Sequence, residues 1–155
     1  MIYRRFVDRD GVLDASVAYF YEQRIRAIVA QATELASRAE PPTLTEIVAA
    51  LPMPNYEGSE VIHSLIARVP ALAHENKVFR RNIEAIVAEQ YPLFEQAIRR
   101  LIDRLPAEEQ FDHRIITTLV LHQNWTLNDI RGTYRVSNEE YREFMTHLLR
   151  SSTRP

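Results

Sequence analysis

The chain has 155 residues, 46% of them apolar and 26% charged, a balance that builds one globular core and excludes a disordered or collagen-like polymer. Only 3 glycines and no cysteine are present, which excludes P-loop and Rossmann phosphate cradles, disulfide scaffolds, cysteine-ligated metals and thiol catalysis. The formal net charge is −2, so no global positive field draws the molecule onto nucleic acid.

Helical periodicity dominates from the start. From Asp14 to Ala39 the apolar positions Val17, Phe20, Tyr21, Ile25, Ile28, Val29, Ala32 and Leu35 recur at steps of three and four, which predicts one long amphipathic helix with Asp14 as its N-cap. Pro41-Pro42 ends it. Thr43-Leu44-Thr45-Glu46 then spells a capping box and predicts a short helix to Leu51. Pro52, Pro54, Asn55 and Gly58 break that helix, and another is expected from Ser59 to Arg68, stopped by Pro70. Ala73 to Leu105 carries the longest helical signal, with a kink or break expected at Pro92, where the ring removes an amide. Three more helices are predicted at Phe111–Gln123, Leu127–Tyr134 and Asn138–Ser151, with Thr126 capping the second and Ser137 or Asn138 the third. No alternating run reads as a strand.

The fold class is therefore all-α: a single helical domain over 1–155, with a bundle part at 14–105 holding a long central hairpin or kinked helix. A tri-helical part at 106–151 packs on it. Residues 43–66 also echo residues 126–149 at a shift of 83, with Thr43, Leu44, Ile47, Asn55, Glu60 and Leu65 repeated as Thr126, Leu127, Ile130, Asn138, Glu143 and Leu148. That echo reads either as a duplication or as two independently capped helix pairs.

The run from Asp129 to Tyr141, with Ile130, Tyr134, Val136, Tyr141, Met145 and Leu148 at the apolar positions, resembles the core of bacterial helix-turn-helix domains. With Leu105-Pro106-Ala107-Glu108-Glu109-Gln110 and the helix from Arg114 to His122, it is similar to a sigma-factor region-4 domain. The resemblance implies a second helix lying against DNA, with Arg135, Asn138 and Arg142 as its contacts. Arg131 stands where such domains usually carry a small alanine, and Arg135 replaces the turn glycine. Glu139, Glu140 and Glu143 share the face that would meet phosphates, which disfavours base reading there.

Basic residues cluster locally. Lys77, Arg80 and Arg81 form one group, and Arg99, Arg100 and Arg104 another, interleaved with Glu84, Glu89, Glu95 and Asp103. Such patterns are solvated faces laced with pairs such as Glu95–Arg99 and Arg80–Glu84, or basic tracks for a phosphate backbone. Glu60 and His63 make a Glu-x-x-His step of the kind that di-iron bundles use twice, but a second copy is lacking. His74, His113 and His122 are scattered, and no nucleophile motif is present. No cofactor or metal is expected, and the chain reads as a non-enzyme.

The leading expectation is a non-catalytic helical recognition subunit that binds a protein partner within a nucleoprotein or regulatory assembly. In size and helicity it is similar to the small helical subunits of CRISPR effector complexes, which line a nucleic-acid path. Tyr3, Phe6, Tyr19, Tyr56 and Trp125 are left over by the stripe pattern and are the candidate anchors. The alternative is a helix-turn-helix regulator, which would dimerise to meet two half-sites. A di-metal helical-bundle enzyme is the remote third reading. No signal-peptide core and no span of apolar residues is present, so the expected location is cytoplasmic, away from membranes.

Overall fold

The structure is a computed structural model. It describes residues 9–51, 65–126 and 137–153, with backbone alone for residues 9, 10 and 120–126. Every named element among the described residues is helical: α1 (Arg9–Ser37), α2 (Leu44–Ala49), α3 (Val69–Glu75), α4 (Lys77–Ile102), a 3-10 turn (Ala107–Glu109), α5 (His113–Thr126) and α6 (Asn138–Ser151). The one β pairing among them is an isolated antiparallel bridge between Phe111 and Thr153, which ties the end of α6 to the start of α5. No helix among the described residues is long and apolar enough to cross a membrane.

The all-α expectation holds, but several boundaries move. Helix α1 begins at Arg9, so Asp14 is an interior residue and the Asp10-Gly11 pair lies inside the helix. Leu13 packs against the apolar cluster around Val17 and Tyr21, which extends the helix by an extra turn. Asp14 instead accepts a hydrogen bond from Asn76 Nδ2 at 2.8 Å.

Pro92 does not break α4, which is continuous from Lys77 to Ile102. Pro92 and Ala88 are both exposed, so water can satisfy the Ala88 carbonyl that the missing amide leaves open. The break falls at Asn76, whose backbone is extended (φ −116°, ψ 107°). Its Oδ1 accepts from the amides of Val78 and Phe79 at 2.9 and 3.1 Å, while its own amide donates to Leu72 O. One asparagine thus ends α3, starts α4 and reaches α1. Pro70 lies in the first turn of α3, where a proline is tolerated, so it opens a helix.

Of the two forms expected for the long central segment, a hairpin or a kinked helix, the hairpin is not formed, because α4 is a single helix through Pro92. Asp14 meets Asn76, Arg26 meets Glu89, and Ala36 meets Arg104, at separations of 62, 63 and 68 residues. A nearly constant offset means that α1 and α4 run parallel. Asn76, at the start of α4, therefore lies beside Asp14, about 35 Å back along α1 from Ser37 at 1.5 Å per residue.

The parallel pair carries two apolar clusters. One joins Val17, Ala18 and Tyr21 of α1 to Phe79, Ile83 and Ile86 of α4, with Ile66 and Val69. The other joins Ala32 and Leu35 to Phe94, Ala97, Ile98 and Leu101, and adds Ile47 and Val48 of α2, Ile116 of α5, and Tyr141, Met145 and Leu149 of α6. The C-terminal helices therefore share the core of the bundle. Gln90, only 5% exposed, sits on the α4 stripe between Ile86 and Phe94 and donates to Glu89 Oε1 at 2.9 Å.

Tyr141 is 6% exposed, and its buried hydroxyl meets no hydrogen-bond partner among the described residues. Burial pushes its ionisation up to about 12. A buried unpaired hydroxyl carries its desolvation cost without return, so Tyr141→Phe should raise stability by about 1–2 kcal/mol in urea unfolding. A loss of stability would show that the hydroxyl is hydrogen-bonded in solution.

Candidate functional site

The α4–α5 joint brings Glu95, Arg99, Asp112, His113 and Arg114 together. After α4 the chain turns at Asp103 and passes the 3-10 turn. It enters α5 at His113, with Asp112 just before it. Asp112 Oδ1 accepts the Arg114 amide at 3.0 Å, as an N-cap does, and the same carboxylate takes the Arg114 guanidinium with both oxygens. Arg114, by its side chain and then its amide, holds the Asp112 carboxyl far below the usual carboxylate range.

From this start the His113 ring faces α4. Its Nε2 lies 3.0 Å from Glu95 Oε1 and 3.0 Å from Arg99 Nε, while Arg99 Nη2 donates to the same Glu95 oxygen at 2.7 Å. Nδ1 lies 3.6 Å from Asp112 Oδ1. Arg99, then His113, keeps the Glu95 carboxyl below its ordinary value. Arg99, Asp103, Gln110, Asp112 and His113 line a cavity of about 330 Å³ floored by Ile102 and Phe111. Sequence distance hid this cluster: Glu95 and His113 lie 18 residues apart and meet only because α5 packs on the end of α4. No group of three or more metal-ligating side chains is assembled among the described residues, and Arg99 brings a positive charge to the spot that Glu95 and His113 share. Glu60 and His63 lie outside the described residues.

The basic groups occupy opposite ends of α4. Lys77, Arg80 and Arg81 are exposed at its start, and Arg99 and Arg100 at its end. Arg81 and Arg99 are about 27 Å apart along the axis. Arg80 does not form the expected pair with Glu84. It donates to Ala73 O at 2.6 Å and His74 O at 3.2 Å, because the last carbonyls of α3 lack helical partners. The expected Glu95–Arg99 pair does form. Arg104, placed by its sequence beside Arg99 and Arg100, turns away to the end of α1.

On α6, Ser137 and Glu140 complete a reciprocal capping box, as do Thr43 and Glu46 on α2. Asn138 is half-buried in the first turn, and Arg142 is exposed between the exposed Glu139 and Glu143. Thr126, expected to cap the next helix, is itself helical within α5 (His113–Thr126). Arg135, the predicted helix Leu127–Tyr134 and the second copy of the internal echo's start lie outside the described residues, as do Tyr3, Phe6 and Tyr56 and the side chain of Trp125. Tyr19 is 56% exposed and sits edge-on to Phe20 with ring centres 5.6 Å apart. Three further apolar residues are exposed: Val78 (76%), Phe144 (61%) and Leu93 (48%), the last of which helical spacing places in the apolar pairs of the long helix. Phe144 is three residues from Tyr141 and four from Leu148, the spacing of stripe residues, which conceals that it points outward.

Comparisons of the chain with protein-family models, with curated proteins and with solved structures give no match.

Proposed function

We propose that this chain is a non-catalytic helical recognition subunit that binds a protein partner, with the outer face of α6 as its principal contact. The observation that carries this reading is Phe144. It is a large aromatic left 61% exposed on a regular helix, with the exposed Glu140 and His147 four and three positions away on the same face. Aromatic side chains are enriched at protein interfaces, where a few anchors carry most of the binding energy. Tyr19, Val78 and Leu93 supply further exposed apolar surface. The non-catalytic part of the reading is supported by the α4–α5 cluster, where Glu95 and Arg99 engage one ring nitrogen of His113 and Asp112 faces the other.

The test is affinity purification of the full chain from its native host. A partner protein should co-purify in stoichiometric amount. Phe144→Ala should weaken that complex at least tenfold, about 1.4 kcal/mol, without changing thermal stability. Undiminished binding by Phe144→Ala would reject the α6 face.

The DNA-regulator reading draws support from Ser137, which starts α6 cleanly with Asn138 in its first turn and Arg142 outward. It predicts DNA affinity that falls steeply with salt and weakens in Arg142→Ala. The exposed carboxylates of Glu139, Glu140 and Glu143 favour the protein partner over phosphate.

A further inference from the structure

The α4–α5 joint contains a geometric conflict that a proton resolves. His113 Nε2 lies 3.0 Å from both Arg99 Nε, a donor, and Glu95 Oε1, an acceptor. A ring nitrogen carries either a lone pair or a hydrogen. With a lone pair, Nε2 accepts from Arg99 and confronts the Glu95 oxygen. With a hydrogen, it donates to Glu95 and confronts the Arg99 N–H. The two contacts cannot be favourable together.

The surroundings decide which form prevails. At neutral pH the Arg99–Glu95 pair supplies a donor at Nε2, and the Asp112 carboxylate at 3.6 Å favours the hydrogen on Nδ1. The charged groups facing the ring or its cavity are Glu95, Arg99 and Asp103 from α4 and Asp112 from the connection, with Arg114 of α5 pairing Asp112. Arg99 keeps Glu95 ionised, and Arg114 does the same for Asp112. Histidine is the side-chain type that ordinarily changes charge between about pH 5 and 8.

We propose that His113 is a proton-driven partner switch at the α4–α5 joint. When neutral it holds Arg99 through the Nε2 lone pair. When protonated it takes over Glu95 and turns the Arg99 Nε–H out toward the cavity that both residues line. Protonation thus changes the partner of the Arg99 Nε–H, on a side chain that is exposed in either state, without unfolding the joint. The proposal is independent of the α6 reading.

Heteronuclear NMR of the full chain tests it. On the alkaline side, His113 should be the Nδ1–H tautomer, with a through-hydrogen-bond coupling from Arg99 Nε–H to His113 Nε2. That coupling should vanish on the acid side, and the Arg99 Nε–H resonance should shift with the same midpoint as the His113 ring. In His113→Asn the pH dependence of Arg99 should disappear. An Nε2–H tautomer at neutral pH, an Arg99 signal indifferent to the His113 titration, or the same Arg99 titration in His113→Asn would each overturn the switch. If His113→Asn does not fold, the wild-type tautomer and coupling decide alone.

Discussion

Leu101→Ala should destabilise the protein by about 3–5 kcal/mol, the cost of a leucine cavity that its surroundings cannot collapse into. Leu101 is 0% exposed and belongs to the cluster where five helices contribute side chains: Leu35 of α1, Ile47 and Val48 of α2, Ile98 of α4, Ile116 of α5, and Met145 and Leu149 of α6. Each helix is fixed by its other contacts, so none can move in to fill the void without opening a second one. Small domains hold only about 5–15 kcal/mol in total, so this single change removes a large share. Urea unfolding should show a lower midpoint with an unchanged slope. Val78→Ala, at a site 76% exposed, is the control and should stay within about 0.5 kcal/mol. A loss below about 1 kcal/mol at Leu101 would mean that the helices do not converge as described.

That convergence was only half legible in the sequence. The apolar stripes of α1 and α4 follow from spacing alone, and the residues they nominate are largely the buried ones. Periodicity reports which face of a helix is buried, but not the direction of the helix that covers it. The parallel pairing of α1 and α4 rests on Asp14–Asn76, Arg26–Glu89 and the Arg104 contacts, which link residues more than 60 positions apart. Local signals fared better. The capping boxes at Thr43–Glu46 and Ser137–Glu140 are three-residue interactions, so the sequence contains all of their physics. Asn76 was missed because Pro92 looked the stronger breaker. Exposure decided otherwise: a proline on a solvated face leaves a carbonyl that water satisfies, whereas Asn76 offers a cap and a partner on another helix.

The candidate site divides the same way. His113 and Asp112 are sequence neighbours whose adjacency carries little information inside a helix. Here Asp112 precedes the helix, and the ring it accompanies finds Glu95 and Arg99 on α4. The basic pattern at the end of α4 was visible as a cluster of like charge. Its parts have different uses. Arg99 completes an ion pair with Glu95, Arg100 lies exposed, and Arg104 binds backbone.

Arg104→Ala should cost about 2 kcal/mol, within the range for hydrogen bonds that involve a charged group. The guanidinium donates through Nη1 to Ala36 O at 2.9 Å, and through Nη2 to Ala39 O at 3.0 Å and Glu40 O at 2.8 Å. These carbonyls lie at and just beyond the end of α1, where intrahelical donors have run out and the helix dipole is negative. One side chain therefore closes the helix and ties its end to the turn after α4. Loss of Arg104 should free this end first, so amide exchange should accelerate most in the last turn of α1 before global stability falls. Arg104→Lys separates the two contributions. An ammonium keeps the charge near the helix end but lacks the planar fork that spans three acceptors. If the fork matters, lysine should recover less than half of the loss; full recovery would assign the effect to charge and dipole alone. Because the acceptors are neutral carbonyls, added salt should change the loss far less than it changes the exposed Arg26–Glu22 pair.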